Sequence, residues 1–296
     1  MFQNIEIFGP RALWSPEYLG FTVALTILYF LIIGPWRKDF KNSTPVPLKQ
    51  KLLFILAMVM LYISKGSPVD LLGHITLTAH MISMSILYLM VPPLLIFGIP
   101  VWLWKSVINL PFVKQLFHYG TKPLIALIMF NLLFSFYHIP MLFDFLNTNQ
   151  ALHAMITIVI FISSLFMWWP LLNRVDEEKQ LHGLKKIGYI FADGMLLTPA
   201  CALIIFSSAP LYDVYTSSAT WVEALSLCVP TDTLNNLTLS GPELFSTMSP
   251  LDDQRTGGVI MKIVQEIIYG SILGYVFFEW ARKEQKIDTL EDAEQF

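Results

Sequence analysis

The stretch HITLTAHMISMSILYLMVPPLLIFGIP, residues 74–100, decides the fold class of this chain. It contains no Asp, Glu, Lys or Arg, and at 1.5 Å rise per residue the run 73–98 exceeds the ~30 Å of a bilayer's hydrocarbon core. Six further apolar runs flank it, near 17–36, 51–66, 122–138, 151–170, 187–209 and 257–280. Together they predict an all-α membrane protein: a single polytopic domain over residues 1–296, built as one bundle of seven transmembrane helices. The run 51–66 is the shortest, and spans only if Lys51 and Lys65 reach opposite interfaces. Composition agrees, because the 296 residues are 55% hydrophobic and only 14% charged, against roughly 25% charged in soluble domains.

Orientation follows from lysine and arginine. With the N-terminus outside and the C-terminus cytoplasmic, fifteen fall inside: Arg37, Lys38, Lys41, Lys49, Lys51, Lys105, Lys114, Lys122, Arg174, Lys179, Lys185, Lys186, Arg282, Lys283 and Lys286. Only Arg11, Lys65 and Arg255 fall outside, and Lys262 lies within the last span. The residues before the first run lack a basic stretch ahead of an apolar core, so no cleavable signal peptide is expected. The long loop 210–256 is external and expected to fold over the outer mouth of the bundle. Residues 99–121, with Trp102 and Trp104, read as an interfacial helix on the cytoplasmic leaflet, and the tail 287–296 as frayed. A net charge of −3 without a basic tract excludes nucleic acid as a partner.

Four of the six histidines, His74, His80, His138 and His153, then lie where spans meet the outer face, while His118 and His182 fall in cytoplasmic loops. Imidazole is costly to leave unpaired at such depth, so the four predict a metal or haem site. Each alone reads as an interfacial or hydrogen-bonded histidine. On one continuous helix His74 and His80 are about 240° apart, so one face cannot present both. Met84 follows His80 at i+4 and Met81 follows His74 at i+7. Imidazole with thioether is a ligand set that favours Cu(I) over hard cations.

Asp253 and Gln254, in SPLDDQRTGG (249–258), are candidates to hold a ligating imidazole from behind, and Asp253 is equally a candidate helix cap. Gly257 and Gly258 allow close helix packing. Glu266 pairs with Lys262 at i−4 in a way expected to neutralise both charges inside the bundle, and Pro92–Pro93 should kink the third span. Other acids near the outer face, Asp70 and Asp144 among them, read as solvated loop charges. Cys201 and Cys228 are too few and too far apart for a thiolate metal box. No GxSxG, HExxH, Walker A or dinucleotide motif is present, and Ser163–Ser164 read as hydroxyls bonded to their own helix, so no enzyme is expected.

Four features in order carry a resemblance: His80–Met81 followed by LYLMVPPLLIFGIP, the His138-Ile-Pro turn, His153 followed by Trp168-Trp169-Pro170-Leu171-Leu172, and Asp253-Gln254-x-x-Gly257-Gly258. With these the chain resembles the CtaG family of caa3-type cytochrome c oxidase assembly factors, of the Bacillus type, over nearly its whole length. The resemblance implies a seven-helix protein of the bacterial plasma membrane that serves oxidase maturation, supplying copper to the oxidase copper centre. It favours His80, His138 and His153 as the core of a Cu(I) site, with His74 or Met84 completing it. Many relatives carry histidine four residues after the first and again soon after that of the fifth span; here Met84 and Thr157 stand there. The partners implied are the oxidase subunit carrying the haem–copper centre and membrane lipid, with an external copper chaperone and a homodimer left open by the sequence. The alternatives from other classes are a metal transporter or channel and a bis-histidine haem electron carrier.

Overall fold

The computed structural model describes residues 5–175, 181, 183–235, 241 and 244–294; Lys179 and His182 lie outside the described residues. The helices in chain order are α1 (Gly9–Trp14), α2 (Pro16–Ile33), α3 (Leu48–Gly66), α4 (Pro68–Gly73), α5 (Leu77–Met84), α6 (Val91–Gly98), α7 (Val101–Ile108) and α8 (Pro111–Gly120). They continue with α9 (Pro123–Tyr137), α10 (Pro140–Asn147), α11 (Gln150–Leu172), α12 (Leu184–Phe206), α13 (Ser218–Leu225), α14 (Thr231–Asn235) and α15 (Pro250–Glu294). No strand occurs among the described residues. Proline opens α2, α4, α8, α9, α10 and α15, where its missing N–H costs no helical bond.

Five helical stretches are long and apolar enough to cross a membrane: Ile5–Ile33, Leu77–Gly98, Gln150–Leu172, Leu184–Phe206 and Pro250–Arg282. The other two expected spans fall short for different reasons. α3 is bounded by Lys49, Lys51 and Lys65, which leaves an uncharged centre, 52–64, of about 20 Å. α9 has 15 residues, about 22 Å, and is long and apolar enough only together with α8, which it meets at an 87° bend; counted as one bent span, that pair makes a sixth. The exterior is lined with large apolar side chains, Leu124 67% exposed, Phe191 70% and Phe206 82%, as suits a surface solvated by lipid.

Several expectations are revised. The expected third span begins at Leu77, because Ser67 and Thr76 cap two separate helices, α4 and α5, and His74 ends the first of them. The expected interfacial helix is broken into α7 and α8, and Trp104 turns inward onto Phe117 and Trp169. The last helix starts at Pro250, seven residues early, and continues through the expected frayed tail to Glu294. Glu266 does pair with Lys262 at 2.8 Å, but its side chain is 63% exposed, so the pair lies on the outside of the bundle.

Pro92 is accommodated without leaving a carbonyl stranded. A π-helical turn, Ser85–Met90, precedes it, and the Tyr88 carbonyl that Pro92 cannot serve accepts bonds from Ser164 Oγ and Trp168 Nε1. Ser164 therefore ties α11 to the third span, whereas Ser163 bonds its own helix at Ile160. Ser164→Ala should cost about 1 kcal/mol, seen as a fall of a few degrees in the detergent melting temperature with copper binding unchanged. A second cross-tie joins three helices: Asn131 of α9 and Tyr269 of α15 both donate to the buried Asp193 of α12.

Candidate metal centre

The turn bearing His80 is held by the chain's last helix. The first four N–H groups of a helix lack partners within it, and in α5 each finds one. Leu77 N–H donates to Asp253 Oδ2 at 2.6 Å and Thr78 N–H to Oδ1 at 3.3 Å; Ala79 N–H donates to Thr76 Oγ1 and His80 N–H to the Thr76 carbonyl. Thr78 Oγ1 also donates to the Asp253 carbonyl. Gly257 makes this approach possible, since a Cβ there would sit 3.0 Å from backbone atoms of Leu77 and Thr78. Gln254 accepts from Leu211 N–H and donates to the Ile204 carbonyl, fixing the start of the long loop. Asp253 and Gln254 thus support the site through backbone, and neither meets an imidazole as the sequence reading expected; Asp253 caps α5 rather than its own helix.

The four histidines come together at one end of the bundle as two pairs. His74 and His153 have ring centroids 5.5 Å apart, and His80 and His138 6.2 Å apart. Two imidazoles sharing one ion at about 2.0 Å per Metal–N bond have centroids roughly 5–6 Å apart, so the His74–His153 pair has that spacing and the His80–His138 pair stands slightly wider. Because His74 lies on a turn rather than on α5, the helical-wheel objection to its acting beside His80 does not apply. His118 is exposed, as expected.

Protonation geometry is legible at His138. Its Nδ1 lies 2.7 Å from the Phe134 carbonyl, which can only accept, so Nδ1 carries the hydrogen and Nε2 presents a lone pair. That Nε2 is buried without a partner, and so are Nε2 of His80 and both ring nitrogens of His153. Buried polar atoms are bonded in the great majority of cases, and four orphans on three neighbouring rings make this cluster the candidate place for a ligand. A cavity of about 20 Å³ opens among His74, His80, His153, Met84 and Thr157. It has room for one ion or one water, and none for a porphyrin. Met84 and Thr157 both line this cavity.

The loop expected to cover the mouth does cover the histidines. Tyr212 Oη donates to the His138 carbonyl and Tyr215 Oη to the Gly73 carbonyl, while Phe143 stands 5.0 Å from His80 and 4.4 Å from Tyr212 between ring centroids. Asp144 is not a free loop charge, since it accepts from the N–H groups of Asp213 and Val214. Burial holds its carboxyl above the usual carboxylate range, against the pull of those two bonds. α13 packs Trp221 and Leu225 with Phe8, Leu13 and Leu71. The aromatic cover shields His80 and His138 from water, which strengthens any charge interaction there, while His153 is partly exposed and lines a lateral groove.

Two residues were missed by sequence reasoning. Asp70 and Cys228 lie beside His74, with one ligand atom of each of the three within 4.8 Å of the others; this is the one such group of three among the described residues. His80, His138 and His153 do not close to that distance as a trio. The break at Ser67–Pro68 and the Thr76 cap signal could have placed His74 near Asp70 at i−4, but nothing in the sequence brings Cys228 there. A permeation path would need polar groups leading on from the cavity, and Asp193, Asn131 and Tyr269 are instead bonded to one another away from it.

Fold and site define an all-helical membrane protein of several spans with a buried cluster of imidazole and thioether donors at one end. The family model described as cytochrome c oxidase caa3 assembly factor matches residues 27–283, and the chain belongs to that family. Its members serve assembly of an oxidase, which gives this chain an oxidase as partner. Comparison with curated proteins and with solved structures gives no match.

Proposed function

We propose that this chain is a non-catalytic assembly factor that binds copper as Cu(I) and supplies it to the copper centre of a caa3-type oxidase. In this reading it crosses the bacterial plasma membrane seven times, α3 and α9 included, with the N-terminus and the histidine end outside. His80, His138 and His153 provide the nitrogen donors, and Met84 adds a soft sulfur on the cavity wall. The observation that carries the reading is the unpartnered ring nitrogens of His80 and His153 on a cavity sized for one ion, with the unpartnered Nε2 of His138 on a ring 6.2 Å from that of His80. Bound copper would need no more from these residues than donor atoms, an aromatic cover and exclusion of water. His138 is pre-set for the task, because the Phe134 carbonyl fixes which nitrogen is free.

Copper content of the purified native protein, compared with His80→Ala, His138→Ala and His153→Ala, tests the reading. Native protein should retain copper through gel filtration, and each variant should lose affinity by at least about 100-fold, since even loss of an outer partner of a ligand costs 10- to 100-fold. Equal copper in all four samples would remove the ligand assignment.

A further inference from the structure

Cys228, His74 and Asp70 form a cluster that the copper site described above does not use. The ligand atoms of the three lie within 4.8 Å of one another. Cys228 Sγ is 3.7 Å from Asp70 Oδ2, and the other Asp70 oxygen is held by Lys65 Nζ at 2.5 Å. Asp70 and Lys65 are mostly buried, with side chains 14% and 20% exposed, and neutralise each other. One carboxylate oxygen is thereby held by the lysine and the other accepts from the thiol, which leaves the sulfur lone pairs of Cys228 and the imidazole of His74 as donors to a metal.

The position of this cluster gives it a direction. His74, Asp70, Lys65 and His153 line both the small cavity containing His80 and a lateral apolar groove of about 840 Å³; Cys228 lines only the groove. Donor groups therefore run from Cys228 in the groove, through His74, to His153 at 5.5 Å, and on to His80, whose buried Nε2 has no partner. Thiolate and imidazole suit a soft monovalent ion, and a thiol that binds metal is deprotonated outright.

We infer that Cys228 and His74 form an outer, receiving Cu(I) site that passes the ion inward to the histidine site. Binding forms the S–Cu and N–Cu bonds and releases the thiol proton to water; copper remains Cu(I) throughout, so no oxidant or reductant is required. Transfer exchanges these ligands for the imidazoles of His153 and His80, and the thiol is reprotonated. Asp70 is a positioning residue that holds Lys65 away from the incoming cation. The inference rests on the proposed copper function, but its test separates the two.

The full chain in detergent is titrated anaerobically with Cu(I) against bicinchoninate, as native protein, Cys228→Ser, His80→Ala, the double variant and Cys201→Ser. Cys201 is buried in the bundle core and serves as the control thiol. Native protein and Cys201→Ser should hold two equivalents, each single variant at Cys228 or His80 one, and the double variant none. Two equivalents with unchanged affinity in Cys228→Ser would overturn the outer site. Loss confined to His80→Ala leaves the inner site alone standing, and loss confined to Cys228→Ser leaves only the outer one. Displacement of Cu(I) from the Cys228 site by equimolar Zn(II) would overturn its assignment to copper. Equal gel-filtration profiles and melting temperatures for Cys228→Ser and native protein exclude misfolding as the cause of a lost equivalent.

Discussion

Asp253→Ala should destabilise the protein by about 3 kcal/mol, because it strips two backbone N–H groups at the start of α5 of a charged acceptor. Leu77 and Thr78 lie against α15, and Asp253 itself is only 5% exposed. A hydrogen bond to a charged group contributes roughly 1.5–3 kcal/mol, and an unserved buried donor adds a penalty of its own. The fall in melting temperature should be several degrees, on the order of 2–4 °C per kcal/mol for a chain of this size. Asp253→Asn retains one acceptor oxygen and should lose about half as much. Copper affinity should fall in parallel, since the freed turn carries His80, and restoring the acceptor with Asn should restore part of both. If Asp253→Ala leaves the melting temperature and copper affinity at native values, α15 does not hold this turn. Gly257→Ala should act in the same direction, as its Cβ would press on backbone that has no flexible end to yield.

The second large effect is on the oxidase. Membranes from cells whose only copy of this chain is His80→Ala should contain caa3 oxidase with its haem but with activity reduced to the level of a deletion strain. Removing one of three nitrogen donors weakens a site by at least about 100-fold, which at limiting copper leaves almost none loaded. Copper supplied in excess in the growth medium should restore part of the activity if the chain acts by supplying the ion. Full oxidase activity in His80→Ala membranes at limiting copper would separate the imidazole cluster from oxidase assembly altogether.

Much of this was legible in the sequence, and the misses have physical causes. The run 74–100 and its neighbours identify an all-helical membrane protein because lipid demands long uncharged helices, and these are visible residue by residue. That His74, His80, His138 and His153 share one end of the bundle was legible for the same reason, since each falls near an end of an apolar run, but that His74 and His80 stand side by side was not, because the apolar run reads as one helix through both. Exact boundaries were not, because the caps at Ser67 and Thr76 compete with a hydrophobicity signal that runs straight through them. Asp253 was legible as a cap, but its target was not, since α5 lies 176 residues away in sequence. Cys228 could not be found at all. It reaches Asp70 through the folding of the loop around Trp221, a tertiary event with no local pattern, and Asp70 read as solvated because its partner Lys65 was assigned to an interface.

The central claim is that copper sits among buried imidazoles at the end of α5, α9 and α11. Anomalous diffraction from crystals of the native protein soaked with Cu(I), recorded above and below the copper edge, tests it most directly. The account predicts a peak in the cavity bounded by His80, His153 and Met84, within about 2.0–2.3 Å of at least one histidine nitrogen. Absence of any peak there in protein shown by elemental analysis to contain copper, with density on exposed side chains such as His118 instead, would contradict it.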